Sequence, residues 1–423
     1  MRDGRMNYSA LKLPTFWKNV TTVLGGTAIA QIIPIAILPL LTRIVPTDQL
    51  GAYFIWLGAT SILIVIASAR LDMAVFLAQS EEQVSEIFQA VLVISVGVGV
   101  AGLLIAIAFQ LFPGKSLMDG IAGRYSVAWA VYAVAMANCQ TLLAVYVYRA
   151  QFERMAYGKV ILAGSVAFSQ LALSLAGAGL DGLVYGQLTM SFIITLVLMY
   201  RAGLRPLSLL AKVNIAGLKK TLKCYYRFPI IAMPSDFINT FSAQIPIFLI
   251  ATRYGAGSVA LYALSLRIIN GPIGLLANSI LAVFKEQAGR DFREKGNCLD
   301  AYRYTFRSLL LMAIIPFTLL FFFGEQAFVL VFGQDWAMAG RFAEVLAPMY
   351  FTKFIASPMS YTLYIANKQI QDLGWQIGLL VMTWAAFYLT GSLMSAVQMY
   401  SIGYSALYVI YLMMSYRAAC GVR

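Results

Sequence analysis

The chain has 423 residues, of which 61% are hydrophobic and only 12% charged, with a formal net charge of +13. A mean hydropathy of +0.77 excludes a soluble globular domain and leaves an all-α, polytopic membrane protein whose helices satisfy their own backbone hydrogen bonds in lipid. The chain has no histidine and only four scattered cysteines, Cys139, Cys224, Cys298 and Cys420, which excludes imidazole-based metal chemistry and a disulfide framework.

The basic N-terminus leads into an apolar run too long for a signal-peptide core and without a cleavage site, so it is expected to stay as the first span. Crossing ~30 Å of hydrocarbon takes about 20 helical residues. Apolar runs of that order are read over 19–42, 52–69, 87–111, 125–148, 160–180 and 182–200 in the first half, then 228–252, 258–284, 308–324 and 345–367. The charge-free stretch 373–416 would be about 66 Å long as one helix, so it is expected to fold back near Gly391. The total is about 12 transmembrane helices, an even number that puts both termini on one side.

Lys and Arg accumulate in cytoplasmic loops, and they set the orientation here. The connection 201–227 holds Arg201, Arg205, Lys212, Lys219, Lys220, Lys223 and Arg227 without an acid. The segment after span eight adds Lys285, Arg290, Arg293, Lys295, Arg303 and Arg307, against only Arg43, Lys115, Arg124, Arg253 and Arg341 on the other face. Both termini are therefore expected in the cytoplasm. Spread over loops, this charge suits an anionic membrane surface and argues against nucleic-acid binding. Glu81, Glu82 and Glu86 are an acidic exception, and acids weigh little in topology.

A repeat lies beneath the hydrophobicity. "QIIPIAILPLLTRIVPTDQLGAY" at the end of span one parallels "QIPIFLIATRYGAGSVALY" at the end of span seven, matching Gln31 with Gln244, Pro34 with Pro246, Thr42-Arg43 with Thr252-Arg253 and Tyr53 with Tyr262. Chance similarity of two apolar stretches is the alternative. As a true repeat it predicts two six-helix bundles, 1–200 and 228–423, around a central cleft and joined by the basic cytoplasmic linker 201–227.

Charges placed in hydrocarbon cost roughly 2.5–3.5 kcal/mol each at a helix centre, which singles out Asp236, Arg267 and Lys353 as candidate substrate-binding groups expected near the bilayer middle. Each has polar company on its own helical face: Asn239 after Asp236, Asn270 after Arg267, and Tyr350, Ser357 and Tyr361 around Lys353. Gln31 joins the candidates through the repeat. The competing reading is an Asp236–Arg267 ion pair that only ties two spans together, with Lys353 snorkelling to an interface.

Arg70 and Asp72, at the cytoplasmic end of span two, are candidates for gating or coupling, or simply stop the helix. Pro34 and Pro39 in span one, Pro234 and Pro246 in span seven and Pro272 in span eight occupy corresponding positions of the two halves. Proline kinks helices, and paired interruptions point to a moving gate; prolines are also common in membrane helices generally.

Four stretches carry a family resemblance: "NVTTVLGGTAIAQIIPIAILPLLTRIVPTDQLGAY", "RLDMAV", "YRAQFERMAYGKV" and "YYRFPIIAMPSDFINTFSAQIPIFLI". With these the chain resembles the polysaccharide transport family of the multidrug/oligosaccharidyl-lipid/polysaccharide exporter superfamily. The resemblance covers about 19–289 and fades in the last four spans. Leu50 departs from it, standing where the family usually has an aromatic residue. The resemblance implies a flippase that moves undecaprenyl-diphosphate-linked oligosaccharide, O-antigen or another surface-polysaccharide unit, across the bacterial inner membrane by alternating access. It implies membrane lipids as surroundings, a polysaccharide polymerase and a chain-length regulator as partners, and no cofactor beyond coupling to a proton or sodium ion.

Two other functions stand beside it. A multidrug or cation antiporter of the same superfamily would favour buried carboxylates, whereas two cations against one carboxylate suit an anionic headgroup. An integral membrane polysaccharide polymerase would need an acidic pair at catalytic spacing and a long outer loop; neither is visible, so no catalytic residue and no metal ligand is assigned.

Overall fold

In a computed structural model, the chain is described over residues 13–111, 124–204, 209, 215–366 and 368–421, and all regular structure among them is helical. Both chain ends, Lys115, Arg205 and Lys212 lie outside the described residues, as does the side chain of Pro272. Helices α1 (Leu13–Ile44), α2 (Thr47–Ser68), α3 (Glu81–Leu111), α4 (Ser126–Tyr148), α5 (Phe152–Leu175) and α6 (Gly179–Arg201) make up the first half. A short α7 (Ile215–Cys224) precedes a π-helical turn, Phe228–Ala232, and the 63-residue α8 (Met233–Lys295). Then come α9 (Leu299–Phe332), α10 (Ala337–Met359), the one-turn α11 (Tyr361–Ile365), α12 (Gln369–Leu389) and α13 (Leu393–Ala419).

Nine helical stretches among the described residues are long and apolar enough to cross a membrane, and the chain is a multi-pass membrane protein. One of the nine, Phe228–Gly271, is 44 residues long and contains a break at Gly255, where φ is 82° and ψ 173°. That backbone is open to glycine and costly for any residue with a Cβ. Counting the limbs of α8 on either side of it, and adding the more polar α10 and α12, gives the twelve spans expected. The last apolar stretch folds back at 390–392, next to Gly391. Span ten ends early: α10 stops at Met359 and a separate turn, α11, follows Ser360. Helical structure runs on through Pro34, Pro39 and Pro246, so the sharp break inside α8 falls at a glycine rather than at a proline.

The described chain divides into two compact units. The first comprises 13–37, 59–111 and 124–240, the second 38–58 and 241–421. In the first, α3 packs on α4, α4 on α6 and α5 on α6. Its buried core gathers Leu71, Val75, Phe88, Leu142, Tyr146, Met155, Leu198 and Leu204, at the ends of the helices and in the turns joining them. The acidic run belongs to this end. Arg149 grips the Glu81 carboxylate through Nε and Nη2, at 3.1 and 2.6 Å, and donates from Nη1 to the Ala202 carbonyl at 2.8 Å. Thr221 on α7 donates to Glu86 at 3.3 Å. Helix α7 sets Leu218 and Leu222 against the core while Lys219, Lys220 and Lys223 stay exposed, the pattern of an interfacial helix.

In the second unit α9 packs on α10, and α13 on both α10 and α12. The start of α2 belongs here: a Cβ on Gly51 would stand 1.7 Å from the Ala256 carbonyl oxygen, just past the break at Gly255. Leu50, the residue that departs from the family pattern, is only 1% exposed. Aliphatic bulk therefore fills the site beside the glycine. Gly51→Ala should lower the melting temperature and the folded yield of detergent-extracted protein. Gly164→Ala, with nothing within 4 Å of the added methyl, should be neutral or raise stability by up to about 1 kcal/mol. Equal behaviour of the two variants would show that the Gly51–Ala256 approach is not a tight contact.

Candidate functional site

The charges singled out in the sequence fall into two clusters, one in each unit, and the two differ in sign. In the first unit the chain turns sharply after α2, and Ala69 and Arg70 both take left-handed backbone angles, φ 46° and 53°. For residues with a Cβ this costs on the order of 1–2 kcal/mol each. The turn persists because Ala69, Leu71, Ala74 and Val75 are buried in the core and the Ser68 hydroxyl accepts the Arg70 amide at 3.2 Å. Strain of this kind concentrates where geometry serves function. Here it aims the Arg70 guanidinium at two carboxylates: Nε lies 2.5 Å from Asp236 Oδ2 and Nη1 3.6 Å from Asp72 Oδ2. The Arg70–Asp236 contact is a close ion pair rather than an aligned hydrogen bond, for the buried Nε–H meets no acceptor in line.

Asp236 was expected deep in its span and, in one reading, paired with Arg267. It lies in the first turn of α8, after the π-helical turn that contains Pro229, and its partner is Arg70 rather than Arg267. The triad carries one cation and two carboxylates, and Asp72 Oδ1 is buried without a hydrogen bond. Burial pushes the Asp72 carboxyl above the usual carboxylate range, opposed by Arg70 and aided by Asp236. Asn239, one turn after Asp236, is exposed, as is Gln31 on α1.

The second unit carries the cations. Arg267, on α8 beyond the break, lies over the Phe54 ring at 4.6 Å, a cation–π contact that leaves its charge unneutralised. One turn on, Asn270 donates to the Tyr350 hydroxyl at 3.2 Å, and the Lys353 ammonium lies 5.2 Å from the centroid of the same tyrosine ring. The Asn270–Tyr350 bond connects the helix that carries Arg267 to the ring beneath Lys353, and neither cation is ion-paired among the described residues. Tyr361, in the turn after α10, has Lys285 over its ring at 5.1 Å. Pro246 lies in α8 of the same unit, and Pro234 at the start of that helix in the first unit.

Three features escaped the sequence reading. Lys159, taken as part of a loop, is inside α5, where it donates to Thr27 of α1 at 3.1 Å. Asp372, just before the charge-free stretch that begins at 373, is 6% exposed and accepts from Tyr411 at 2.6 Å, Gln376 at 2.8 Å and Tyr364 at 3.2 Å. The third is a ladder on α13, Tyr400, Tyr404 and Tyr408, with Trp375 against Tyr408 and Tyr411. Its spacing of four was visible in the sequence. Tyr400, Tyr408 and Tyr411 are buried and belong to the packing of this unit.

The helices define a multi-pass membrane protein built from two compact units, a design shared with known proteins. Solved structures with the same fold include the lipid II flippase MurJ in an inward closed conformation, with a TM-score of 0.71 and 15% identity over 92% of this chain and 86% of that one. An inward-facing multidrug-resistance MATE transporter of the MOP superfamily aligns with a TM-score of 0.65 and 14% identity, covering 93% of each chain. The succinoglycan biosynthesis transport protein ExoT of Rhizobium meliloti (strain 1021) is 24% identical over 353 residues, 81% of this chain and 68% of that protein. These relatives are transporters and a flippase, not enzymes. The profile of the polysaccharide biosynthesis protein family matches residues 40–340, and the chain belongs to that family.

The triad yields a test with a defined sign. A carboxyl whose folded-state pKa is raised contributes stability below its ordinary value of 3.8, and that contribution is lost as pH rises through the raised value. Asp72→Asn should therefore melt higher than the parent at about pH 7, and the gap should shrink toward about pH 4 as Asp72 takes up its proton. A variant that melts lower at neutral pH, with the gap widening as pH rises, would mean that attraction to Arg70 outweighs burial.

Proposed function

We propose that this protein carries an undecaprenyl-diphosphate-linked oligosaccharide, such as an O-antigen or other surface-polysaccharide repeat unit, across the bacterial inner membrane. The observation that supports this most is the pair of cations without ion-pair partners among the described residues, Arg267 and Lys353, in one unit of a member of a polysaccharide biosynthesis family. A cation without a counter-ion in a membrane helix is costly, and an anionic headgroup supplied by the substrate relieves that cost. In this reading Arg267 offers a planar fork matched to phosphate and Lys353 a mobile point charge. Asn270, Tyr361, Asn239 and Gln31 supply hydrogen bonds to sugars, while the polyprenyl chain stays in lipid.

Arg70, Asp72 and Asp236 take the coupling role. Two carboxylates share one guanidinium, so one proton or sodium ion can enter the triad as the Arg70–Asp236 pair loosens. Pro34, Pro39, Pro234, Pro246 and Pro272 remain hinge candidates, now joined by Gly255, where the backbone breaks outright. The exposed lysines of α7 and the basic segment after α8 favour cytoplasmic termini. A polymerase and a chain-length regulator are the expected consumers of the exported unit. A multidrug-exporter reading is less well supported, because Asp236, the carboxylate it would rely on, is already neutralised by Arg70.

Complementation of surface polysaccharide in a flippase-null strain, with membrane abundance measured alongside, tests the proposal. Arg267→Ala combined with Lys353→Ala should abolish export at unchanged abundance, whereas Arg267→Lys should retain a substantial part. Normal polysaccharide from the double variant would refute a cationic substrate site. Loss of cation efflux on Asp236→Asn, with the two cationic positions tolerant, would favour the exporter instead.

A further inference from the structure

A second place in the second unit combines positive charge with an unfilled apolar surface, and it shares no residue with the cluster around Arg267. Between the first turns of α9 and the last turns of α13 lies a groove of about 700 Å³, lined by Phe306, Leu310, Val409, Leu412 and Met413 along its length. Three arginines, Arg303, Arg307 and Arg417, cluster at the end of the groove where α9 begins and α13 ends. Tyr302 and Tyr416 form its floor at that end. The Tyr302 hydroxyl meets Ser415 Oγ at 2.9 Å and donates to the Leu412 carbonyl at 3.1 Å, and its ring stands edge-on to Tyr416 at 5.7 Å.

Arg303 donates to the Tyr416 hydroxyl at 3.2 Å, which fixes its guanidinium at the mouth. Arg303 and Arg307 are one helical turn apart, so both project from the same face of α9. Asp300, one turn before Arg303, offsets part of this charge. With it counted, two positive charges remain without a carboxylate of their own. Like charges at this spacing repel. The apolar length is open to the surface: Met413 is 60% exposed and Val409 41%.

We infer that this groove binds an anionic membrane phospholipid, its acyl chain along Leu310, Val409, Leu412 and Met413 and its phosphate between Arg303, Arg307 and Arg417. Charge complementarity selects this occupant. A zwitterionic lipid would fill the apolar length and leave the arginines unneutralised, and a free phosphate would leave the apolar length bare. Basic pockets between membrane helices hold acidic headgroups in this way, at about 1 kcal/mol per arginine or lysine near the surface. The volume lies within the range of ~300–1,000 Å³ typical of ligand sites. Bound lipid would pin the start of α9 to the end of α13, two elements joined here by the Tyr302 and Arg303 hydrogen bonds.

Native mass spectrometry and thermal melting of the detergent-purified full chain test the inference. The probes are dioleoyl phosphatidylglycerol, dioleoyl phosphatidylcholine, dioleoylglycerol and inorganic phosphate. Phosphatidylglycerol should be retained about thirtyfold better than phosphatidylcholine, as two surplus charges at about 1 kcal/mol each require, and it alone should raise the melting temperature. The triple variant Arg303→Gln, Arg307→Gln, Arg417→Gln should lose that preference while keeping a monodisperse elution profile. Leu310→Trp, which fills the groove and spares the charges, should reduce retention of both phospholipids. Should the triple variant fail to fold, Arg307→Gln alone, whose side chain has no described partner, should lower the preference at least about threefold. An unchanged preference in the arginine variants, or stabilisation by inorganic phosphate equal to that by phosphatidylglycerol, would overturn the assignment. Since Arg267 and Lys353 are untouched in these variants, their export phenotype reads separately from the substrate-site test.

Discussion

A charge in hydrocarbon must be neutralised, solvated or carried to the edge, and the placement of the charged clusters among the described residues follows from that constraint. In the first unit it is met internally. Arg70 takes up both Asp236 and Asp72, and Arg149 takes up Glu81. In the second unit it is met for Arg341 by Glu325 and for Arg253 by the carbonyls of Phe387 and Tyr388 at the end of α12. Arg267 and Lys353 differ, for among the described residues they meet aromatic faces and no carboxylate. Aromatic contacts contribute about 0.5–2 kcal/mol, less than the roughly 2.5–3.5 kcal/mol that a charge costs at a helix centre. That remainder is the physical basis for assigning them an external anion.

The same economy appears in the backbone. Hydrogen-bonded helices are obligatory in lipid, so departures from helix are informative. Three are concentrated near charged residues or the start of α2: the left-handed pair Ala69–Arg70, the π-helical turn before Asp236 and the glycine break at Gly255 beside Gly51. The first two together bring Arg70 and Asp236, from distant parts of the sequence, into an ion pair. Their cost is borne by the buried core under the Arg70 turn, where Leu71, Ala74 and Val75 lose all contact with solvent. Removing that core support would release the turn and with it the charge pairing.

Hydropathy made the number of spans, their approximate limits and the fold-back near Gly391 legible, because lipid demands about 20 apolar residues per crossing. The residue types at the charge clusters were legible for the same reason, since Asp236, Arg267, Lys353, Arg70 and Asp72 are conspicuous in apolar surroundings. Their partners were not. An ion pair between the turn after α2 and the first turn of α8 depends on tertiary placement, and local spacing suggested only Asn239 as a neighbour. Nor was the π-helical turn at Phe228–Ala232 legible, after which regular α-helix begins at Met233. Lys159 and Asp372 were missed because each sits at the polar margin of an apolar run, where a sequence offers no sign of whether a charge is buried or solvated. The proline pattern suggested hinges, yet helix continued through Pro34, Pro39 and Pro246 and broke at Gly255, because only a residue without a Cβ adopts that positive φ at low cost.

The central claim is that Arg267 and Lys353 bind a diphosphate carried on a polyprenyl chain. It is tested most directly by equilibrium binding of polyprenyl diphosphate, polyprenyl monophosphate and the free polyprenol to purified protein in nanodiscs of zwitterionic lipid. The account predicts affinity rising from the alcohol to the monophosphate to the diphosphate, with the diphosphate at least about tenfold tighter than the alcohol, or about 1.4 kcal/mol. In the Arg267→Gln, Lys353→Gln variant the three ligands should bind alike. Equal affinity for all three in the parent protein, or a diphosphate preference that survives in the double variant, would contradict it.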